Sequence, residues 1–223
     1  MIVCRNKKNV RMREFIAALL ALGSLTGCNS APSSQGKTKS GAATVAAATK
    51  GAGSDIDLNC VASHIQSPPE SFHYSFRDVS DNAWQEEAEV TPQNIDGSFT
   101  NSFSPKVQEF HGPPQQVSSN LMAIGRMASI FSTVHMTSAV VNQGPEQKNG
   151  YDTVKYSIDT AQGNDTEQGL FRAVLGPGGF EKGYVWVTSQ GCPVQIALDE
   201  EIHGKDGSAL GKAHYEEAMI RKH

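Results

Sequence analysis

The chain has 223 residues, with 19 Lys and Arg against 23 Asp and Glu, a formal net charge of −4. Five of the basic residues and one acidic residue fall within the first 27, so the rest holds 14 against 22, a net charge of −8. This acidic balance argues against nucleic-acid binding, which selects basic stripes, and against docking on anionic lipid headgroups. Residues 56–223 are numerous enough for one domain with its own core.

The start of the chain has the three-part pattern of a bacterial secretion signal. A basic stretch precedes an apolar run at 15–22, and Leu25-Thr26-Gly27-Cys28 follows it. This tetrapeptide resembles a lipobox, which predicts that residues 1–27 are a cleaved signal peptide and that Cys28 is lipidated. An ordinary signal peptide with an incidental cysteine is the alternative. The apolar run is shorter than the roughly 20 residues that a membrane-spanning helix needs.

A low-complexity segment follows the predicted lipidation site. Residues 28–55 are rich in Ser, Ala, Gly and Thr and hold almost no large apolar side chain, so we expect a flexible linker. Two or more acyl chains on Cys28 would give stable membrane attachment. By resemblance to Gram-negative lipoproteins, Asn29 after the cysteine implies export to the outer membrane, facing the periplasm.

Two cysteines remain in the predicted domain, Cys60 and Cys192. In an exported protein, such a pair predicts one disulfide, and two unrelated buried thiols are the alternative. None of the seven histidines has zinc-ligand spacing, and the sequence contains neither a nucleophile elbow nor a phosphate loop. We therefore predict no catalytic residue, metal or cofactor, and a protein that is not an enzyme.

Hydrophobic periodicity predicts an α+β domain made mostly of antiparallel strands. Leu58, Val61, Ala62 and Ile65 have the spacing of a short helix. Alternating apolar and polar residues predict strands that are half buried. The segment 208–222 is predicted as a strand because of its alternation, with a helix as the alternative. The predicted strands are 71–77, 84–91, 98–103 (after a turn at Asp96-Gly97), 152–159, 169–175, 184–188, 194–200 and 208–222.

The middle of the chain has a different pattern. Residues 117–141 carry apolar side chains at helical spacing around nearly the whole circumference, and Arg126 is their only formal charge. A helix that is apolar nearly all round is buried, so we predict one long apolar helix inside the sheet.

Three pieces of the sequence together resemble a known superfamily. They are the short helix followed by 71–76, the apolar middle helix, and the hairpin formed by 184–188 with Gly191-Cys192-Pro193-Val194. They are similar to the LolA/LolB superfamily of lipoprotein carriers and its LppX/LprG-type relatives. The resemblance implies that residues 56–223 form an incomplete antiparallel β-barrel, or half-barrel, packed around the long apolar helix and the short N-terminal helix. The Cys60/Cys192 pair departs from the carrier pattern.

Two functions follow as hypotheses. In the first, this lipid-anchored envelope protein binds an acyl chain, a lipid or a lipoprotein in an apolar cavity. In the second, it is a non-catalytic structural or accessory lipoprotein of an envelope complex, with a filled core. The size of the cavity separates them. The side chains predicted to line it are Phe72, Tyr74, Phe76, Leu121, Ile124 and Phe131.

Overall fold

The computed structural model of the chain describes residues 56–57, 59–79, 84–102, 104–121 and 138–222. The predicted signal peptide, Cys28 and the whole of the predicted linker lie outside these residues.

Among the described residues, nine antiparallel strands, numbered β1 to β9 in chain order, form one open sheet with the order β4-β3-β2-β1-β9-β8-β7-β6-β5. Strands β1 to β4 are consecutive neighbours, as are β5 to β9, so two meanders meet where β1 pairs with β9. The α+β prediction with a large antiparallel sheet is confirmed at this level. The strands are Phe72–Asp78 (β1), Trp84–Val90 (β2), Ile95–Asn101 (β3), Ser104–Gly112 (β4), Val140–Lys148 (β5), Tyr151–Asp159 (β6), Phe180–Thr188 (β7), Pro193–His203 (β8) and Ala209–Arg221 (β9).

Helices are few and short among the described residues. Helix α1 lies where a short helix is predicted, and its Val61 and Ile65 are buried. Within the described part of the chain, no helix has the length and hydrophobicity needed to cross a bilayer. The α-helices are Asn59–Gln66 (α1), Pro114–Val117 (α2) and Asp165–Leu175 (α3), and Ser118–Asn120 and Thr160–Gln162 are 3₁₀ turns.

The predicted strand at 169–175 is wrong, because these residues belong to helix α3. The Asn164 side chain accepts hydrogen bonds at the helix start, and Glu167 Oε2 accepts one from the Asn164 N–H in return, which completes a capping box. Phe171 and Leu175, four residues apart, bury one helix face. The cap lies upstream of the apolar residues on which the strand prediction rests.

Gly169 within α3 and Gly176 directly after its last residue give a matched pair for mutation. Gly169 is exposed with open space around it, so Gly169→Ala should raise the free energy of unfolding by about 0.5–1 kcal/mol. Gly176 ends the helix at φ +81°, and an added Cβ would lie 2.1 Å from the His203 carbonyl oxygen. Gly176→Ala should therefore destabilise the domain. Denaturant unfolding measures both, and equal effects would contradict the α3 assignment.

The predicted turn at Asp96-Gly97 is also wrong. The chain reverses at 91–94, where the Thr91 hydroxyl and N–H both bond to the Asn94 carbonyl, and β3 runs through Gly97. At Gly97 the absence of a side chain leaves room for the Phe110 ring, because an added Cβ would lie 2.4 Å from it. Phe110 belongs to β4, a strand that was not predicted. The other unpredicted strand is β5, which turns into β6 through Asn149 and Gly150, both at positive φ.

The boundaries of the predicted long helix are wrong at both ends. After α2, Ser118–Asn120 form a 3₁₀ turn, and Leu121 adopts an extended conformation. At the other end, Val140 and Val141 begin β5. Residues 122–137 lie outside the described residues, so the helix itself remains a prediction there.

The segment 208–222, for which strand and helix were both possible, forms strand β9.

One face of the sheet carries the main hydrophobic core, and we call it the inner face. It is defined by Phe72, Tyr74 and Phe76 of β1, which are at most 1% exposed. The main hydrophobic cluster contains these three side chains, others from both meanders and from α1, and Leu121. The inner face therefore holds the two meanders together as one packed unit.

Candidate functional site

The inner face also carries four carboxylates, the feature that sequence reasoning missed. Glu86 of β2, Glu181 of β7, Glu200 of β8 and Glu217 of β9 are each at most 7% exposed. We call these four residues the inner carboxylates. Charged side chains are rarely buried in proteins unless they are paired, so four on one sheet face need a structural or functional cause.

Strand register explains how the inner carboxylates come to share this face. Directly paired residues of neighbouring strands point to the same side of a sheet. Phe76 pairs with Glu86 on one side and with Glu217 on the other. Farther along the sheet, Glu181 and Glu200 are paired with each other across β7 and β8. The carboxylates thus form two groups within an otherwise apolar surface.

Aromatic donors bind three of these carboxylates. The Tyr74 hydroxyl donates to Glu217 Oε1 at 2.9 Å, and the Tyr215 hydroxyl donates to Glu200 Oε1 at 3.3 Å. The Trp84 indole N–H donates to Glu86 Oε1. Such bonds offset part of the cost of burying a carboxylate. The inner face therefore combines large apolar surface with a few oriented polar groups.

The two tyrosines remain protonated donors. Burial, followed by the nearby Glu217 and Glu86 carboxylates, raises the pKa of Tyr74 well above its ordinary value. Burial and the Glu200 carboxylate raise the pKa of Tyr215 in the same direction. Both effects disfavour a second negative charge beside a carboxylate, so the phenols donate throughout the physiological pH range.

Four of the six predicted lining residues come together on this face. Phe72, Tyr74 and Phe76 lie in one row along β1, and Leu121 is 6% exposed in the same cluster. Ile124 and Phe131 lie outside the described residues and remain predictions. Counting alternate positions from Trp84 or from Tyr215 would have placed Glu86 and Glu217 on the apolar face.

The opposite side of the sheet, the outer face, is polar around β1 to β4. A groove of about 520 Å³ there is lined by His73, Glu89, Asp96, His111 and their neighbours. His73 bonds to Glu87 at 2.8 Å and to Glu89 at 3.1 Å. These charged side chains are solvated, and they share the groove with Ala88 and Phe110.

The predicted disulfide is present in the structure between Cys60 and Cys192. Cys60 belongs to α1, and Cys192 lies in the turn between β7 and β8, 132 positions later in the sequence. The bridge connects α1, which precedes the first meander, to the β7–β8 hairpin of the second meander. It lies outside both groups of inner carboxylates.

Comparison with known proteins gives little further guidance. No protein-family model matches the sequence, and no curated protein matches it at a significant level. The crystal structure of LprF from Mycobacterium bovis is similar over 76% of this chain and 93% of its own, at 12% sequence identity and a TM-score of 0.30. At that TM-score the similarity carries no argument about function.

Proposed function

We propose that this chain is a lipid-anchored protein of the bacterial cell envelope that binds an acyl chain, a lipid or a lipoprotein against the inner face of its sheet. The observation that carries the proposal is the inner face itself. A single open sheet presents aromatic and aliphatic side chains from both meanders on one side, where Phe72 and Phe76 flank Tyr74. The lipobox-like Cys28 supports attachment to a membrane, and Asn29 favours the outer membrane facing the periplasm.

The mixed chemistry of the inner face supports a lipid rather than a bare hydrocarbon. Small-molecule sites are mostly apolar and use a few polar groups to fix orientation. The apolar side chains would contact the acyl part of a ligand. Glu217 and Tyr74, or Glu200 and Tyr215, offer acceptors and donors of the kind that bind hydroxyl, amide or amine groups of a headgroup.

Native mass spectrometry of the purified chain, together with uptake of a fluorescent fatty acid, tests the proposal. We expect a lipid mass on the protein as purified and saturable uptake after delipidation. Leu121→Glu should abolish uptake while the fold persists, because water can hydrate a charge in an open cavity. Leu210→Glu is the matched control, since Leu210 is 68% exposed on β9. Absence of both retained lipid and uptake in the wild type would contradict lipid binding.

The alternative is an accessory lipoprotein with a filled core. The observation favouring it is that Phe72, Tyr74 and Phe76 are at most 1% exposed and pack within one cluster. In that case Leu121→Glu would bury an unpaired carboxylate and unfold a domain of ordinary stability. Thermal unfolding of this variant therefore separates the two functions.

The anchor is tested independently of the ligand. Cys28→Ser removes the predicted lipidation site, so the variant should leave the membrane fraction for the soluble fraction of lysed cells. Cys4→Ser, within the predicted signal peptide, is the control and should leave fractionation unchanged. Equal membrane association of the wild type and the Cys28 variant would refute lipid anchoring.

A further inference from the structure

The surroundings of the disulfide hold a third side chain with metal-binding chemistry. His64, one helical turn after Cys60 on α1, has its Nδ1 atom 3.8 Å from Cys60 Sγ and 3.7 Å from Cys192 Sγ. These three residues are the only group of His, Cys, Asp and Glu side chains whose ligand atoms gather within 4.8 Å in the part of the chain that the structure describes. The imidazole ring therefore lies beside both sulfurs, and its Nε2 atom is closer still to Cys60 Sγ, at 3.5 Å.

We propose that the reduced form of this protein binds Zn²⁺ through Cys60, His64 and Cys192, and that formation of the disulfide closes the site. In a tetrahedral zinc site, Zn–S bonds of about 2.3 Å and Zn–N bonds of about 2.0 Å place nitrogen and sulfur about 3.5 Å apart. The two nitrogen–sulfur distances are already close to that value. The sulfurs themselves need a separation of about 3.8 Å, which cleavage of their bond permits.

The backbone that carries the three ligands is held by contacts other than the disulfide. The Asp57 N–H donates to the Gly191 carbonyl at 2.7 Å, which ties the start of α1 to the turn that carries Cys192. Thr188 fixes that turn, since its N–H donates to the Cys192 carbonyl and its hydroxyl accepts from the Cys192 N–H. Reduction therefore leaves the ligands near their present positions.

The three side chains can supply the ligand types that zinc prefers. Neutral imidazole and thiolate are the forms that coordinate zinc. Three protein ligands leave a fourth position for water or another exchangeable group.

The two states interconvert by a balanced reaction. A dithiol reductant transfers two electrons and two protons to the disulfide, which gives two thiols and the oxidised reductant. Zn²⁺ then displaces both thiol protons as it binds. Cys60 is half-buried rather than fully enclosed, so its sulfur gives a thiol reductant an approach. Oxidation by a disulfide reverses the sequence and releases the metal.

Cobalt titration of the full chain tests the site, with Cys4→Ser and Cys28→Ser in the background so that Cys60 and Cys192 are its only thiols. After reduction by a phosphine, Co²⁺ should produce a near-ultraviolet thiolate-to-cobalt charge-transfer band that saturates at one equivalent, and Zn²⁺ should remove that band. The oxidised protein should give no such band.

His64→Ala removes a direct ligand, so it should weaken cobalt binding by at least the roughly 10–100-fold that loss of a hydrogen-bonding partner of a ligand costs. His73→Ala is the matched control, because His73 lies on the outer face, and it should bind as the parent does. Near-ultraviolet circular dichroism reports folding in parallel. If the reduced apoprotein loses its native signal, Co²⁺ or Zn²⁺ should restore it. Absence of the charge-transfer band in the reduced protein, an identical affinity for the His64→Ala variant, or failure of metal to restore the fold would each overturn the proposal.

Discussion

Replacing Cys60 and Cys192 with serine should lower the free energy of unfolding by about 2–5 kcal/mol. The bridge joins positions 132 residues apart. The entropy that a closed loop of that length removes from the unfolded chain corresponds to a stabilisation of at most about 5 kcal/mol. A domain of this kind has a total stability of about 5–15 kcal/mol, so the loss is a large share of it. Chemical denaturation of the metal-free variant and its parent, without reductant, measures the difference.

The control for this prediction is the Cys4→Ser/Cys28→Ser chain, which keeps the disulfide. Adding a reductant to that control should reproduce the destabilisation, whereas the Cys60→Ser/Cys192→Ser variant should not respond to a reductant. A difference below about 1 kcal/mol between variant and control would contradict a role of the bridge in stability.

Phe76→Ala should cost about 3–5 kcal/mol of unfolding free energy. The Phe76 side chain is 1% exposed on the inner face. Phe76 pairs with Glu86 of β2 on one side and with Glu217 of β9 on the other. Truncation loses the free energy gained by burying the phenyl ring. It also leaves a cavity beside two carboxylates, and the cavity adds to that loss. Equilibrium denaturation with a constant m-value checks the prediction.

Val107→Ala serves as the control for Phe76→Ala. Val107 is 61% exposed on β4, so its truncation should change stability by no more than about 0.5 kcal/mol. If the Phe76 variant were as stable as this control, Phe76 would line an open space rather than a packed core. In that case its fatty-acid uptake should fall.

Local periodicity was sufficient to predict the hydrophobic part of the inner face. Phe72, Tyr74 and Phe76 alternate with polar residues, and large aromatic side chains at every second position indicate one buried side of a strand. The same reasoning predicted β6 and favoured a strand over a helix at β9. These predictions succeed because the signal lies within each strand and needs no distant partner.

The alternation can place Glu217 on the inner face, but it cannot predict the hydrogen bond that Glu217 accepts there, because the donor lies on a distant strand. Tyr74 and its acceptor Glu217 are 143 positions apart, so neither local sequence shows the hydrogen bond. A Glu in an alternating segment is normally exposed, and only the pairing of β1 with β9 brings a phenol donor to it. Helix α3 was missed for a different reason: its start depends on the cap at Asn164, upstream of the residues whose pattern was used.

The meeting of two meanders at β1 and β9 has a kinetic consequence. Within each meander, neighbouring strands are joined by consecutive connections, so each can begin to form from nearby contacts. The β1–β9 ladder instead pairs Phe72 with Arg221, and in the reduced chain it must close nearly the whole domain in one loop. Loop-closure entropy makes such pairing late and slow. We therefore expect this ladder to form last in the reduced chain, and the Cys60–Cys192 bridge to shorten the loop that it closes.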